Sequence, residues 1–195
     1  MKEPVKFGLI LLLFCAISAG LLAFVNSFTA PVIAQAELEA TLESYKVIFG
    51  DEADNFEEYD SEKLEKIKET YPEIQSVFVA TKAGETVGYG VNFEATGFGG
   101  SMTNAIGFLL EDDKIAGFRN ISNAETKGFG TKIEEESYYS TYVGKSAKGD
   151  LVIEAQPNGE NEVLLLSGAT VSSKAVLVGD NIAIKAYQEF LKESK

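Results

Sequence analysis

The chain has 195 residues and a formal net charge of -13, from 17 Lys and Arg against 30 Asp and Glu. It contains no His and one Cys. Ser-His-Asp and Cys-His catalytic groups, His-ligated zinc, an intramolecular disulfide and a CxxC redox pair are therefore excluded. The acidic balance argues against nucleic-acid binding, because phosphate backbones are negatively charged. Redox or group-transfer chemistry would need a bound cofactor.

The first feature along the chain is an apolar run over residues 7–25, broken only by Gly8, Ser18 and Gly20. As a helix it would be about 28 Å long, close to the ~30 Å hydrocarbon core of a bilayer. Lys2 and Lys6 precede the run, and no charged residue follows before Glu37. By the positive-inside rule, residues 1–6 are a cytoplasmic N-terminus, residues 7–25 a single transmembrane anchor, and the rest is extracytoplasmic.

A cleaved signal peptide is the alternative for this run. Ala34-Gln35-Ala36 fits the small-x-small cleavage pattern. That site lies far beyond the apolar run, which is itself long for a signal sequence, so the retained anchor is favoured. Both alternatives export most of the chain across the cell membrane, the inner membrane where there are two.

Residues 26–73 are predicted to be a post-membrane segment followed by an acidic helical stalk. The pattern predicts one helix over residues 36–49 and a second over residues 61–70, ended by Tyr71-Pro72. The acidic run Asp51-Glu52-Ala53-Asp54 lacks the glycine of a calcium-binding loop and indicates a solvated face. No metal site is predicted.

Residues 74–195 are predicted to form one α+β domain, with antiparallel strands and flanking helices. Its helices are expected over residues 133–143 and 171–192, and its strands over residues 77–80, 86–94, 105–110, 115–118, 151–153 and 163–166. In the last helix, one face at helical spacing is formed by Val171, Ala175, Val178, Ile182, Ala186 and Phe190.

Three segments could hold a cofactor. Ser167-Gly168-Ala169-Thr170 joins a strand to a helix, and a helix N-terminus attracts phosphate through its free N–H groups. The glycine-containing segments over residues 125–130 and 97–100 could approach a planar ligand closely. Each also has a simpler interpretation, as a helix cap or as an ordinary turn.

Together and in this order, the three segments resemble the FMN-binding domain shared by the G subunit of the Rnf electron-transport complex and the C subunit of the sodium-translocating NADH:quinone reductase. Ser167-Gly168-Ala169-Thr170 is similar to that family's Ser/Thr-Gly-Ala-Thr motif, whose last Thr carries FMN through a phosphoester bond. The segment over residues 26–33 also resembles the family's start of the domain. The short length and single anchor are more similar to the Rnf protein. Lys127, Phe129 and Leu164 stand where the family usually has Pro, Leu and Asp.

The resemblance implies covalent FMN on Thr170. It also implies that the cofactor site includes Ser167, Gly168, Ala169, Glu125, Thr126, Lys127, Gly128, Gly130, Gly99 and Gly100. The expected protein is a membrane-anchored flavoprotein subunit of an Rnf-type ion-translocating complex, an electron relay that is not catalytic alone. Its expected partners are the other membrane subunits and a flavin transferase. Two alternatives remain open: a free-standing exported flavin carrier, and a flavin-free membrane-anchored adaptor.

Overall fold

A computed structural model describes residues 3–192 of the chain. In this range the α-helices are α1 (Glu3–Phe49), α2 (Ser61–Thr70), α3 (Glu136–Tyr139) and α4 (Thr170–Ala186), and a π-helical segment at Tyr187–Leu191 continues α4. The strands are β1 (Asn55–Glu58), β2 (Ile74–Lys82), β3 (Glu85–Thr96), β4 (Ser101–Leu109), β5 (Lys114–Asn123), β6 (Val152–Glu154) and β7 (Glu162–Leu164). This mixture of helices with a mainly antiparallel sheet confirms the predicted α+β class.

The first helix is much longer than either of the two segments expected there. It runs for 47 residues without a break, through Pro31, and ends at Phe49. Its length and composition are sufficient to cross a membrane. The chain divides into two compact units, one up to Ala40 and one from Thr41 onwards, so the last turns of α1 belong to the second unit.

The second unit is built on a five-stranded sheet in the order β1-β2-β3-β4-β5, with every neighbouring pair antiparallel. One face carries Phe93, Phe108 and Phe118, which are fully buried in the main core. The opposite face receives the end of α1. Opposed glycines on this face leave room for its side chains, and a Cβ at Gly90 would overlap the ring of Tyr45.

Two predicted elements of the domain differ from the structure. The helix expected over residues 133–143 is broken into short pieces: a 3-10 turn at Gly130–Glu134, α3, and a second 3-10 turn at Ser140–Tyr142. These pieces lie along the edge strand β5, where the chain follows the sheet instead of one helix axis. The strands β6 and β7 are present but pair in parallel in a separate two-stranded sheet.

The apolar face assigned to the last helix coincides only in part with the face that packs on the sheet. Ala186 is buried, and Ala175, Ile182 and Phe190 are partly buried against the core. Val171 and Val178 are 55% and 61% exposed. The buried residues of α4 are Ser172, Ser173, Val176, Gly179, Asp180, Ala183, Ile184 and Ala186. Small and polar residues let α4 lie close to β3, where a Cβ at Gly179 would overlap the Phe93 ring. Because the helix lies so close to the strand, the residues that face the sheet include small and polar ones, and the hydrophobic pattern of the sequence does not predict them.

Candidate functional site

A cavity of about 450 Å³ lies where the β3–β4 turn, the loop after β5 and the start of α4 meet. Its volume falls within the ~300–1,000 Å³ range of small-molecule sites. It is lined by Phe98, Glu125, Thr126, Phe129, Gly168, Ala169, Thr170, Val171 and Ser172. All three segments selected from the sequence therefore contribute to one cavity.

The N-terminus of α4 opens into this cavity without a side-chain cap. The N-cap residue is Ala169, and no side chain there accepts a hydrogen bond from the first turn. Thr170 is the first helical residue, and its side chain is exposed at the cavity. The helix start therefore offers free backbone N–H groups and the positive end of the helix dipole to a ligand. The hydroxyl groups of the motif do not act as a cap for the helix.

A buried serine fixes the turn that presents Thr170. The Ser173 hydroxyl donates to the carbonyl oxygen of Ala169 and accepts from the backbone N–H of Leu166, both at 3.1 Å. Gly168 has a φ of +81°, in the left-handed region that glycine adopts without strain. The turn before α4 is thus held by the two hydrogen bonds of the Ser173 hydroxyl, and its shape depends on the left-handed backbone conformation of Gly168.

Glu125 links the two glycine-containing segments. Its Oε1 accepts a hydrogen bond of 3.2 Å from the backbone N–H of Gly99. A Cβ at Gly97 or Gly130 would overlap the Glu125 carboxylate. The glycines of both segments therefore make room for this one side chain, which also lines the cavity. Asn123 orients the Glu125 backbone by accepting its N–H at 3.0 Å.

The loop after β5 is ordered by its own hydrogen bonds. The backbone N–H of Phe129 donates to the carbonyl oxygen of Thr126 at 3.1 Å. That of Gly128 donates to the Thr131 hydroxyl at 3.0 Å. Gly128 itself has a φ of +77°. Lys127 is exposed and is absent from the cavity wall.

The structure brings five of the eleven predicted site residues to the cavity wall: Glu125, Thr126, Gly168, Ala169 and Thr170. The other six, Ser167, Lys127, Gly128, Gly130, Gly99 and Gly100, lie in the adjoining turns. Four lining residues were not predicted, namely Phe98, Phe129, Val171 and Ser172. Phe98 and Phe129 lie inside the segments selected from the sequence, each between two glycines. That position was the only feature of the sequence that could have indicated that they line the site.

A buried polar chain lies further along α4, outside the cavity lining. The hydroxyl groups of Tyr138 and Tyr142 are 3.0 Å apart, and Tyr142 donates to Oδ2 of Asp180 at 2.9 Å. Burial raises the pKa of Asp180 well above its usual range, and the Tyr142 bond opposes this only partly. Burial likewise raises the pKa of both tyrosines. Among residues 3–192, no cluster of His, Cys, Asp or Glu could hold a metal ion.

Comparison with solved structures identifies the class of fold. The chain is similar to NqrC from Shewanella oneidensis (TM-score 0.52, 21% identity, 59% of this chain and 58% of that one). It is also similar to the C subunit of the Na+-translocating NADH-quinone reductase from Parabacteroides distasonis (TM-score 0.53, 24% identity, 62% and 64%). Residues 97–185, which span the cavity, match the FMN-binding domain family. The fold is thus that of an FMN-binding domain.

The sequence relatives identify the family. Residues 1–48 match the RnfG N-terminal region. The G subunit of the Na+-translocating ferredoxin:NAD+ oxidoreductase complex of Acetobacterium woodii is 33% identical, over 98% of this chain and 95% of that protein. The G subunit of the proton-translocating ferredoxin:NAD+ oxidoreductase complex of Clostridium ljungdahlii is 28% identical, over 90% and 87%. The chain belongs to the RnfG family, as the resemblance of its motifs implied.

Proposed function

We propose that this chain is a membrane-anchored flavoprotein subunit of an Rnf-type, ion-translocating electron-transport complex, and that Thr170 carries FMN through a phosphoester bond. The family supports the role, because relatives matched over nearly their whole length are named as the G subunits of ion-translocating oxidoreductase complexes. The observation that carries the attachment site is the exposed Thr170 at the uncapped start of α4, on the wall of a cavity of about 450 Å³.

The residues present fit FMN. The free N–H groups of the first turn of α4 suit the phosphate, and the apolar side chains of Phe98, Phe129 and Val171 suit a flat ring. Bound FMN would supply the electron-transfer chemistry that the side chains of this protein lack. The chain's own residues would hold, orient and partly enclose the group.

Thr170 would act once, during maturation. Its hydroxyl oxygen would form the bond to the phosphorus of the FMN phosphate and lose its proton, while the phosphoanhydride bond of a flavin dinucleotide donor would break and the nucleoside monophosphate would leave. A flavin transferase would catalyse this step. The ester phosphate would retain one negative charge, which the positive end of the α4 dipole would stabilise. Lys127 would contribute only at longer range, since it lies outside the cavity wall.

The apolar helix places the protein at the membrane in this proposal. α1 would span the bilayer through residues 7–25, with residues 1–6 in the cytoplasm and the domain outside. Other membrane subunits of the complex would be its partners. Protease added to intact cells, or to cells stripped of any outer membrane, should then cleave the part of the chain after residue 25. Protection of that whole part would reverse the assigned orientation.

The decisive experiment is in-gel fluorescence of the denatured full-length protein, produced together with its flavin transferase. The wild-type band should fluoresce, and the Thr170→Val band should be dark because valine has no hydroxyl to esterify. Thr126→Val is the matched control, since Thr126 lines the same cavity. A fluorescent Thr170→Val band beside a dark Thr126→Val band would show that the flavin is attached to Thr126 and not to Thr170. A dark wild-type band would refute covalent attachment.

A further inference from the structure

The loop between β6 and β7 contains Asn158-Gly159, the one Asn-Gly pair in the sequence. In such a pair the backbone nitrogen of the glycine can attack the side-chain amide of the asparagine, because glycine has no Cβ to obstruct the approach. Asn158 is exposed, so water can reach its amide. The pair is therefore open to deamidation unless the fold holds its reacting groups.

Both reacting groups are held by other partners in the folded loop. Oε2 of Glu162 accepts the backbone N–H of Asn158 and that of Gly159, each at 2.8 Å. The side-chain Nδ2 of Asn158 donates to the carbonyl oxygen of Gln156 at 3.2 Å. The Gly159 nitrogen must therefore leave Glu162, and the amide must leave Gln156, before the two can react.

The position of Glu162 is itself well defined. Glu162 is the first residue of β7 and is paired with Val152 of β6. A Cβ at Gly159 would lie 2.9 Å from Cδ of Glu162, so the carboxylate lies directly against the glycine backbone. On the other side, Nζ of Lys145 donates to the carbonyl oxygen of Gly159 at 2.6 Å.

The charge of Glu162 opposes the attack as well as its geometry. The backbone N–H groups of Asn158 and Gly159 hold the pKa of the Glu162 carboxyl below its ordinary value, which keeps this side chain ionised. The attack requires the Gly159 nitrogen to lose its proton. A negative charge beside that N–H disfavours the deprotonated form.

We propose that Asn158 is a deamidation site whose reactivity is controlled by the Glu162 carboxylate. In the reaction the Gly159 nitrogen forms a bond to Cγ of Asn158, its proton passes to the side-chain nitrogen, and ammonia leaves. Water then opens the cyclic imide to aspartate or isoaspartate, so no electron is transferred and water is the only co-reactant. The contact with Glu162 suppresses the reaction in the closed loop, and each opening of the loop permits it.

The product would keep the loop open. A carboxylate at residue 158 repels Glu162, and isoaspartate also lengthens the backbone by a methylene group, so both products oppose re-formation of the two original hydrogen bonds. The loop continues through β7 into the turn before Thr170, so the modification would lie in the segment that leads to the candidate site. The reaction needs neither flavin nor a partner subunit, and its test is independent of the proposed function.

The test measures deamidation of the folded full-length protein in detergent at mildly alkaline pH. Peptide mapping by mass spectrometry detects the replacement of the side-chain NH2 by OH in the peptide that contains residue 158. Glu162→Ala should deamidate about tenfold faster than wild type, because the loop loses two hydrogen bonds to a charged acceptor and opens more often. Glu160→Ala is the matched control, since Glu160 is an exposed carboxylate of the same loop. Asn158→Ser should show no mass change in this peptide.

Three results would overturn the proposal. The first is an equal rate in Glu162→Ala and Glu160→Ala. The second is a folded wild type that deamidates as fast as the guanidinium-unfolded protein, and the third is a mass change that persists in Asn158→Ser. If Glu162→Ala does not fold, Glu162→Gln decides, because glutamine keeps the shape of the side chain without its charge. A rate for Glu162→Gln above that of Glu160→Ala supports the control by the carboxylate, and an equal rate overturns it.

Discussion

The Tyr142 hydroxyl donates a 2.9 Å hydrogen bond to Oδ2 of Asp180, and both side chains are fully buried. The second carboxyl oxygen of Asp180 has no hydrogen-bond partner among the described residues, and no salt bridge reaches it. A buried carboxylate without a cation is costly, which is why burial raises the pKa of Asp180. The folded protein therefore retains this proton at pH values where the unfolded chain has released it.

This raised pKa predicts a pH-dependent stability. The contribution of Asp180 to the unfolding free energy should fall as pH rises from the ordinary Asp pKa, ~3.9, through the higher folded pKa, because at this group the folded state binds more protons than the unfolded chain. Asp180→Asn removes the titration. It should stabilise the protein by about 1–3 kcal/mol at neutral pH, with a difference that fades towards pH ~4. Chemical denaturation of wild type and variant between pH 4 and pH 8, taken as approximate limits, measures this.

Asp150→Asn is the matched control for Asp180. Asp150 is 55% exposed and forms a 3.6 Å ion pair with Lys185, so its loss should change stability by less than about 1 kcal/mol at any pH. A parallel pH profile for Asp180→Asn and wild type would contradict a raised pKa in the folded state.

The packing of α1 on the sheet predicts a large effect at Gly90. A Cβ there would overlap the Tyr45 ring, which is fully buried and donates a 2.6 Å hydrogen bond to Asn92. Gly90→Ala should lower the unfolding free energy by about 1–3 kcal/mol, because neither the ring nor the strand can move freely. Gly149→Ala, where a Cβ meets nothing within 4 Å, should have little effect. Thermal unfolding in detergent compares the two, and equal midpoints would show that α1 is not packed on this sheet face.

Local signals explain which parts of the fold could be predicted. Helix α2 begins and ends as expected, because Asp60 accepts the Lys63 N–H at its start and Tyr71-Pro72 follows its end. The core face of α4 was not evident from the sequence. Its position depends on how closely the helix approaches Phe93, and that distance is set by Gly179 and not by an apolar stripe. The strands β6 and β7 are separated only by a short segment with turn residues, which is typical of a hairpin, and their own residues do not reveal that they pair in parallel.

The candidate site, like the fold, was only partly predictable from the sequence. Thr170 and Glu125 were singled out by the resemblance of short motifs to a known family, and both residues line the cavity. Phe98 and Phe129 were passed over because an exposed aromatic residue between glycines has no periodicity. Ser173 was also missed as a structural residue, since only the folded turn shows that its hydroxyl bonds to Leu166 and Ala169.

The position of Glu125 predicts that it orders the hairpin tip that carries Phe98. Glu125→Ala removes the acceptor for the Gly99 N–H and leaves a space beside Gly97 and Gly130. Amide hydrogen exchange over residues 96–101 should then be about tenfold faster. Glu111→Ala, at an exposed residue outside the cavity, is the control. Unchanged exchange at the tip in Glu125→Ala would show that the hairpin is ordered without this carboxylate.

The buried hydroxyl of Ser173 predicts a loss of both stability and flavin attachment. Ser173→Ala leaves the Leu166 N–H without its acceptor, which should lower the unfolding free energy by about 1–3 kcal/mol. Because the same hydroxyl holds the Ala169 carbonyl, the turn before Thr170 should loosen, and the denatured protein should show a weaker flavin band. Ser167→Ala is the control, because Ser167 lies in the same motif but is exposed. Its unfolding free energy should remain within about 0.5 kcal/mol of the wild-type value. A Ser173→Ala protein that is destabilised yet fully flavinylated would show that Thr170 is presented by the helix itself and not by the turn that Ser173 supports.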